Sequence, residues 1–280
     1  MNGDWSQLQR RGFVVLRGFL PAEDRAYLLE DFARGQPPEA FPFGFKPLGR
    51  RALQRARMRL DPLLAEISAT TSLRVDSINF LTLSHYVSTR RAERSSHWHQ
   101  DFDLDYRLTD NHLDYLNFWM PLQKPELEIS NLAIIPWDTL WKHHPEAAER
   151  AHGLGGARWV VEGGTTALYL GLDQAEPAAR FDMNLEALAE TPHLREGDLL
   201  VLRGDTLHRT QDTASLRVAA SVRASGLHKP ILRHRLADLR EPETDRIRQQ
   251  LEECFQHLGG DEVTLGQFLA YLSGEKRSHD

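Results

Sequence analysis

Residues 97–101 read His-Trp-His-Gln-Asp, and a further histidine, His208, stands far downstream in Gly-Asp-Thr-Leu-His-Arg-Thr. Two imidazoles and one carboxylate can occupy one face of a metal ion and leave its other positions open. That arrangement suits non-haem Fe(II) where oxygen and a cosubstrate must bind together. Residues two apart on a strand share a face, so His97, His99 and Asp101 are expected to point the same way. A lone His-x-Asp is weak evidence: with 13 histidines in 280 residues, such a pair arises about once by chance. An acid–base pair, or zinc held by two histidines, a carboxylate and water, stays open on these residues alone.

Arg217 narrows the choice. It opens Arg-Val-Ala-Ala-Ser-Val-Arg, where Arg217, Ala219, Ser221 and Arg223 share one face of a strand. A dicarboxylate that chelates a metal needs a cation at its far end. A guanidinium offers a planar fork that bonds a carboxylate bidentately, and small neighbours leave it room. Asp101, Asp103, Asp105, Asp110 and Asp114 crowd the segment 101–115. They are expected to form a solvated turn; the sharper reading makes Asp103 and Asp105 an acidic rim that selects a cationic substrate. Arg50, Arg51, Arg55, Arg57 and Arg59 read as an exposed helix face, with a phosphate or CoA contact as the lesser alternative. Residues 137–156 are expected to be either a lid with a glycine hinge or a surface insertion.

These residues need a frame. Segments at 4–12, 21–35 and 50–71 carry helix signals, the last expected to break near Pro62. From about residue 74 the chain turns to short apolar or alternating runs separated by Gly, Pro, Asp and Asn, the pattern of a β-sandwich or barrel. From about 230 to 274 it is charged and helical in pattern. The expected fold is α+β and β-rich, one domain over 1–280 with a jelly-roll core at about 74–225 and flanking N- and C-terminal helices. The helical tail is expected either to cap the barrel or to join a homodimer. A formal charge of −6 gives no footprint for nucleic acid. No apolar run is long enough for a membrane span, and no signal-peptide pattern opens the sequence. A single cysteine, Cys254, excludes an intrachain disulfide. A cytoplasmic location is expected.

The runs His-Trp-His-Gln-Asp-Phe-Asp, Phe-Trp-Met-Pro-Leu, Ser-Asn-Leu-Ala-Ile-Ile-Pro-Trp and the stretch 197–223, with the opening at 10–32, resemble the phytanoyl-CoA dioxygenase family of Fe(II)/2-oxoglutarate-dependent oxygenases. The resemblance covers roughly residues 7–225, and the 97–103 stretch is also similar to ectoine hydroxylases, without the rest of their signature. It implies a double-stranded β-helix of jelly-roll or cupin-like form. His99, Asp101 and His208 would hold Fe(II), and Arg217 would hold the distal carboxylate of 2-oxoglutarate, with Arg223 as the fallback. Thr210 and Trp119 would line that cosubstrate's pocket, and His97 would support the metal site from beside it. The implied reaction consumes O2 and 2-oxoglutarate, releases succinate and CO2, and hydroxylates a small-molecule substrate; desaturation or cyclisation is an alternative outcome. Asp101 speaks against halogenation, because halogenating relatives lack a carboxylate there. The family's Pro-Gly-Ser-His continuation is replaced by Pro136, Trp137 and Asp138, so substrate contacts do not carry over. Two other function classes are weighed: a cupin-like metalloenzyme using His97 and His99 without 2-oxoglutarate, and a non-catalytic binding protein on the same fold.

Overall fold

A computed structural model describes residues 3–37, 40, 45–89, 97–109, 111–170, 174–239 and 242–274. Asp110 of the acidic run lies outside the described residues. The strands are β1 Phe13–Leu16, β2 Lys46–Pro47, β3 His85–Ser88, β4 Trp98–His99, β5 Tyr115–Gln123, β6 Leu132–Ile134, β7 Ala157–Glu162, β8 Thr165–Leu170, β9 Ala179–Phe181, β10 Leu199–Arg203, β11 His208–Thr210, β12 Val218–Ser225, β13 Pro230–Leu232 and β14 Glu262–Thr264. The helices are α1 Trp5–Arg11, α2 Ala22–Ala33, α3 Arg50–Thr70, α4 Leu104–Thr109, α5 Trp137–His143, α6 Pro145–Ala151, α7 Leu185–Leu188, α8 Asp245–Leu258 and α9 Leu265–Ser273.

Two antiparallel six-stranded sheets form the core, in the orders β1-β10-β5-β12-β3-β2 and β6-β11-β4-β7-β8-β9. The chain crosses from one sheet to the other between β3 and β4, β4 and β5, β5 and β6, β9 and β10, and again on either side of β11. That alternation is the double-stranded β-helix expected from the sequence.

Alternation along the strands decides what faces inward. On β5 and β12, Leu116, Phe118, Met120 and Leu122, with Val218, Ala220, Val222 and Ala224, pack outward beneath α2 and α3. The intervening residues, Asn117, Trp119, Arg217, Ala219, Ser221 and Arg223, therefore face the inside, and all are buried. Both faces being covered explains the near-continuous apolar texture of these strands.

α3 is unbroken. Its buried residues Ala52, Ala56, Leu60, Leu63, Leu64 and Ile67 recur at helical spacing, and Pro62 leaves only the carbonyl of Met58 without its helical donor. Met58 is 73% exposed, so that carbonyl lies on the solvent side of the helix and the buried stripe continues past the proline. The stretch 74–88 is less regular than its pattern suggests, with strand only at His85–Ser88 and an isolated bridge from Ser77 to Ser225. Residues 137–156 form α5 and α6, whose Trp137, Leu140, Ala147, Ala148 and Ala151 pack on the outer face of the second sheet. They cover that sheet from outside and are not a lid over its inner face. The C-terminal segment adds the β13–β14 pair and helices α8 and α9, which share a cluster with Leu81 and Leu108. No helix among the described residues is long and apolar enough to cross a membrane.

Candidate metal centre

β11 runs beside β4, with His208 directly opposite His99. Directly opposed residues share a face, and the two rings lie 4.4 Å apart between centroids. Each imidazole is aimed by its backbone: Nδ1 of His99 lies 2.9 Å from the His97 carbonyl, and Nδ1 of His208 lies 2.9 Å from the Thr206 carbonyl. A carbonyl only accepts, so each Nδ1 carries the proton and each Nε2 presents a lone pair, the tautomer a metal requires.

Asp101 completes the group. It sits beyond the end of β4 and brings Oδ1 to 3.9 Å from Nε2 of His208. One nitrogen or oxygen from each of His99, Asp101 and His208 lies within 4.8 Å of the others. The carboxylate is clamped from the opposite sheet: Arg223 Nη2 donates to Oδ1 at 2.8 Å, and Asn117 Nδ2 donates to Oδ2 at 2.9 Å. Asn117 is itself oriented by the Ser221 hydroxyl at 2.8 Å. Burial opposes a charge on Asp101, but the Arg223 guanidinium and then the two imidazoles outweigh it and hold the carboxyl well below the usual range. Burial, then the neighbouring His208, pushes His99 down to about 4, so its Nε2 is free of a proton at neutral pH.

Arg217 is fully buried on the same inner face, at the head of β12. Its Nη1 donates to the Ser130 carbonyl at 2.8 Å, and its guanidinium lies 5.0 Å from the Trp119 ring centroid. Nε and Nη2 have no hydrogen-bond partner, and no carboxylate among the described residues pairs with it. Burial pushes its pKa down to about 10, so it remains charged. Ser130 holds a left-handed backbone, φ 56°, and is tied by Asp212 and Ser215. Strain of this kind persists where surroundings enforce it; here it sets the carbonyl that Arg217 grips. Thr210 lies two residues after His208, on the same face and buried, opposite Leu132.

Three expectations change. The His97 side chain is exposed and its ring is outside the metal group; only its backbone carbonyl serves His99. That geometry does not favour the reading with His97 and His99 as paired ligands. Asp103 and Asp105 form neither a solvated turn nor an acidic rim, because both are buried and answered inside the protein. Asp103 accepts from the Tyr115 hydroxyl; Asp105 pairs with the buried Lys229 ammonium and accepts from Ser225 Oγ at 2.7 Å. Burial, then the charge on Asp105, pushes the Asp103 carboxyl up to about 7. Arg223 is committed to Asp101, which leaves Arg217 as the arginine of the 217–223 row without a counter-charge among the described residues. Among the arginines of 50–60, Arg55 and Arg59 ion-pair with Asp24 on α2.

Three inner-face residues were not anticipated. Asn117 was readable, being two residues before Trp119 on one strand. His85, opposite Ser221, and Arg158, opposite His99, depend on strand pairing that local pattern does not reveal.

No protein-family model matches the sequence, and no curated protein matches it. Solved structures do match in shape. EctD from S. alaskensis, crystallised with 2-oxoglutarate and 5-hydroxyectoine, aligns with a TM-score of 0.50 at 16% identity, over 81% of this chain and 76% of that one. The non-haem alpha-ketoglutarate-dependent epimerase SnoN from nogalamycin biosynthesis gives 0.47 at 14% identity, over 81% and 83%. HygX from Streptomyces hygroscopicus, with nickel and 2-oxoglutarate bound, gives 0.45 at 15% identity, over 78% and 84%. At such identities the likeness shows a shared fold and nothing more, and of these three the EctD match, at 0.50, is the one that carries it.

Proposed function

We infer that the chain is a non-haem Fe(II)/2-oxoglutarate-dependent dioxygenase that hydroxylates a C–H bond of a small molecule. The observation that carries this reading is Arg217: a buried guanidinium with two unpartnered N–H groups on the inner face that also holds Asn117 and Arg223, the supports of Asp101. A His–Asp–His group alone suits zinc as well, but a zinc hydrolase gives such an arginine no task. An unpaired buried charge is costly, and a carboxylate with two oxygens is the ligand that would answer it.

His99, Asp101 and His208 would hold the metal, and Arg217 the distal carboxylate of 2-oxoglutarate, with Trp119 as the floor under the guanidinium and Thr210 beside it. When bound, Fe(II) and 2-oxoglutarate supply the oxidising power: O2 is consumed, 2-oxoglutarate leaves as succinate and CO2, and one oxygen atom enters the substrate. The chain's own contribution is to position. The carbonyls of His97 and Thr206 fix the imidazole tautomers, while Arg223 and Asn117 fix the carboxylate. That EctD was crystallised with 2-oxoglutarate agrees with this reading.

Calorimetric titration of 2-oxoglutarate into Ni(II)-loaded protein tests it. Binding should require the metal and weaken about thirtyfold or more in Arg217→Gln, the equivalent of 2 kcal/mol or more for a lost charge-assisted pair. Equal affinity with and without metal would overturn the reading.

A further inference from the structure

The second sheet places one continuous row of residues on its inner face. His208 lies opposite His99, His99 opposite Arg158, and Arg158 opposite Tyr169, across β11, β4, β7 and β8. The outer face of the same strands carries Trp98, Trp159 and Leu168, packed beneath α5 and α6. Directly opposed residues in an antiparallel pair have Cα atoms about 4.5–5.5 Å apart. Arg158 therefore stands one strand from a residue of the metal group, on the same side.

Among the described residues its charge is unanswered. Arg158 is half-buried, its guanidinium lies 4.8 Å from the Tyr169 ring centroid, and its Nε is buried with no hydrogen-bond partner. No acidic side chain among the described residues pairs with it, and the nearly buried Tyr169 has no hydrogen bond for its hydroxyl among them. The other inward charges near the metal group are matched: Asp101 with Arg223, and Asp105 with Lys229. On the reading above, Arg217 is matched by 2-oxoglutarate. Among the described residues near the metal group, Arg158 is left over.

We propose that Arg158, held flat against Tyr169, is a subsite for a carboxylate on the primary substrate, so that the chain acts on an anionic small molecule. The proposal rests on the metal and 2-oxoglutarate reading for its place beside the reacting centre. Aromatic stacking orients the guanidinium while leaving its fork of donors free, and the Tyr169 hydroxyl adds a further donor. The buried and internally paired Asp103 and Asp105 are no longer available to attract a cation, which removes the contrary substrate class.

The test uses benzoate and its neutral isostere benzamide as probes, titrated by calorimetry into Ni(II)- and 2-oxoglutarate-loaded protein and into the metal-free protein. Benzoate should bind at least about tenfold more tightly than benzamide, and Arg158→Gln should remove that preference, since the charge-assisted pair is lost. Arg158→Lys, which keeps the charge without the fork, should recover part of it. The affinity for 2-oxoglutarate should stay within about twofold in both variants. Equal binding of the two probes by the wild type, or a benzoate preference that survives Arg158→Gln, would overturn the subsite. A parallel loss of 2-oxoglutarate binding in Arg158→Gln would also overturn it, by assigning Arg158 to the cosubstrate. Wild-type protein that fails to bind 2-oxoglutarate would refute the cofactor reading instead, while the probe preference in metal-free protein still decides the subsite.

Discussion

Asp101 is held at both carboxylate oxygens by protein donors, Arg223 on one and Asn117 on the other. A metal ligand fixed in this way needs little reordering when the ion arrives. Groups that orient a ligand are worth about 10–100-fold in metal affinity, so Asn117→Ala should weaken Ni(II) binding by that factor in a competition titration with a chelator. Unchanged affinity would contradict the clamp. His112 presents a different case. Its ring stacks on Tyr115 at 4.1 Å between centroids, yet both nitrogens are buried with no hydrogen-bond partner among the described residues. Phenylalanine would keep the stack and remove the desolvated nitrogens. His112→Phe should therefore stabilise the protein by about 1–3 kcal/mol, read as a higher melting midpoint; a lower midpoint would contradict this account of the site.

Elements explain what was legible. The period-2 spacing of Arg217, Ala219, Ser221 and Arg223 predicted a shared face because β12 is long and buried on both sides, and the register shift against β5 at Val218/Ala219 does not break the alternation of buried residues. The same rule placed His97 beside His99 and missed, since β4 is only Trp98–His99 and the chain leaves the strand at both ends. The acidic run was misread because its partners arrive from afar: Tyr115 from β5, and Lys229 after β12. Local charge counting cannot see such partners. Arg158 escaped for a related reason, as its position opposite His99 is set by sheet pairing and not by any spacing. In α3, Pro62 was expected to end the helix, yet the buried stripe on both sides carries it through. Proline inside a helix costs about 3 kcal/mol relative to alanine, offset by about 0.4–1 kcal/mol from a stiffer unfolded chain. Pro62→Ala should thus raise the melting midpoint by several degrees, and no rise would mean the helix has fully absorbed the missing hydrogen bond.

For the molecule as a whole, the C-terminal segment is tied to the metal-bearing segment through one fully buried ion pair, Lys229 with Asp105. Breaking one partner strands a charge in the interior, which costs about 3–5 kcal/mol. Lys229→Met should lose that much in urea denaturation, whereas Lys229→Met with Asp105→Asn should recover a large part. A double variant no better than the single would contradict the pairing. Acid sensitivity follows from two buried histidines, His85 and His112, and the half-buried His99, which desolvation above all pushes down to about 3, 3 and 4. Unfolded, each titrates near pH 6.5, so below that the unfolded chain binds more protons than the native one. Metal-free protein should lose stability from about pH 6.5 to 4, at up to about 1.4 kcal/mol per pH unit for each imidazole. Asp103, pushed up to about 7 chiefly by burial, works the other way: its contribution is full below about pH 4 and is lost as the pH rises to 7. Three groups against one leave a net loss on acidification. Urea midpoints at pH 5 and 7 give the sign, and a higher midpoint at pH 5 would refute it.

The central claim is that His99, Asp101 and His208 hold iron and that Arg217 holds the cosubstrate beside it. An anaerobic titration of the metal-free protein with Fe(II) and 2-oxoglutarate, followed in the visible range, tests it most directly. The account predicts a weak charge-transfer band that needs both additions, disappears in His208→Ala and weakens in Arg217→Ala. Stoichiometric Fe(II) binding with no band on adding 2-oxoglutarate would contradict it.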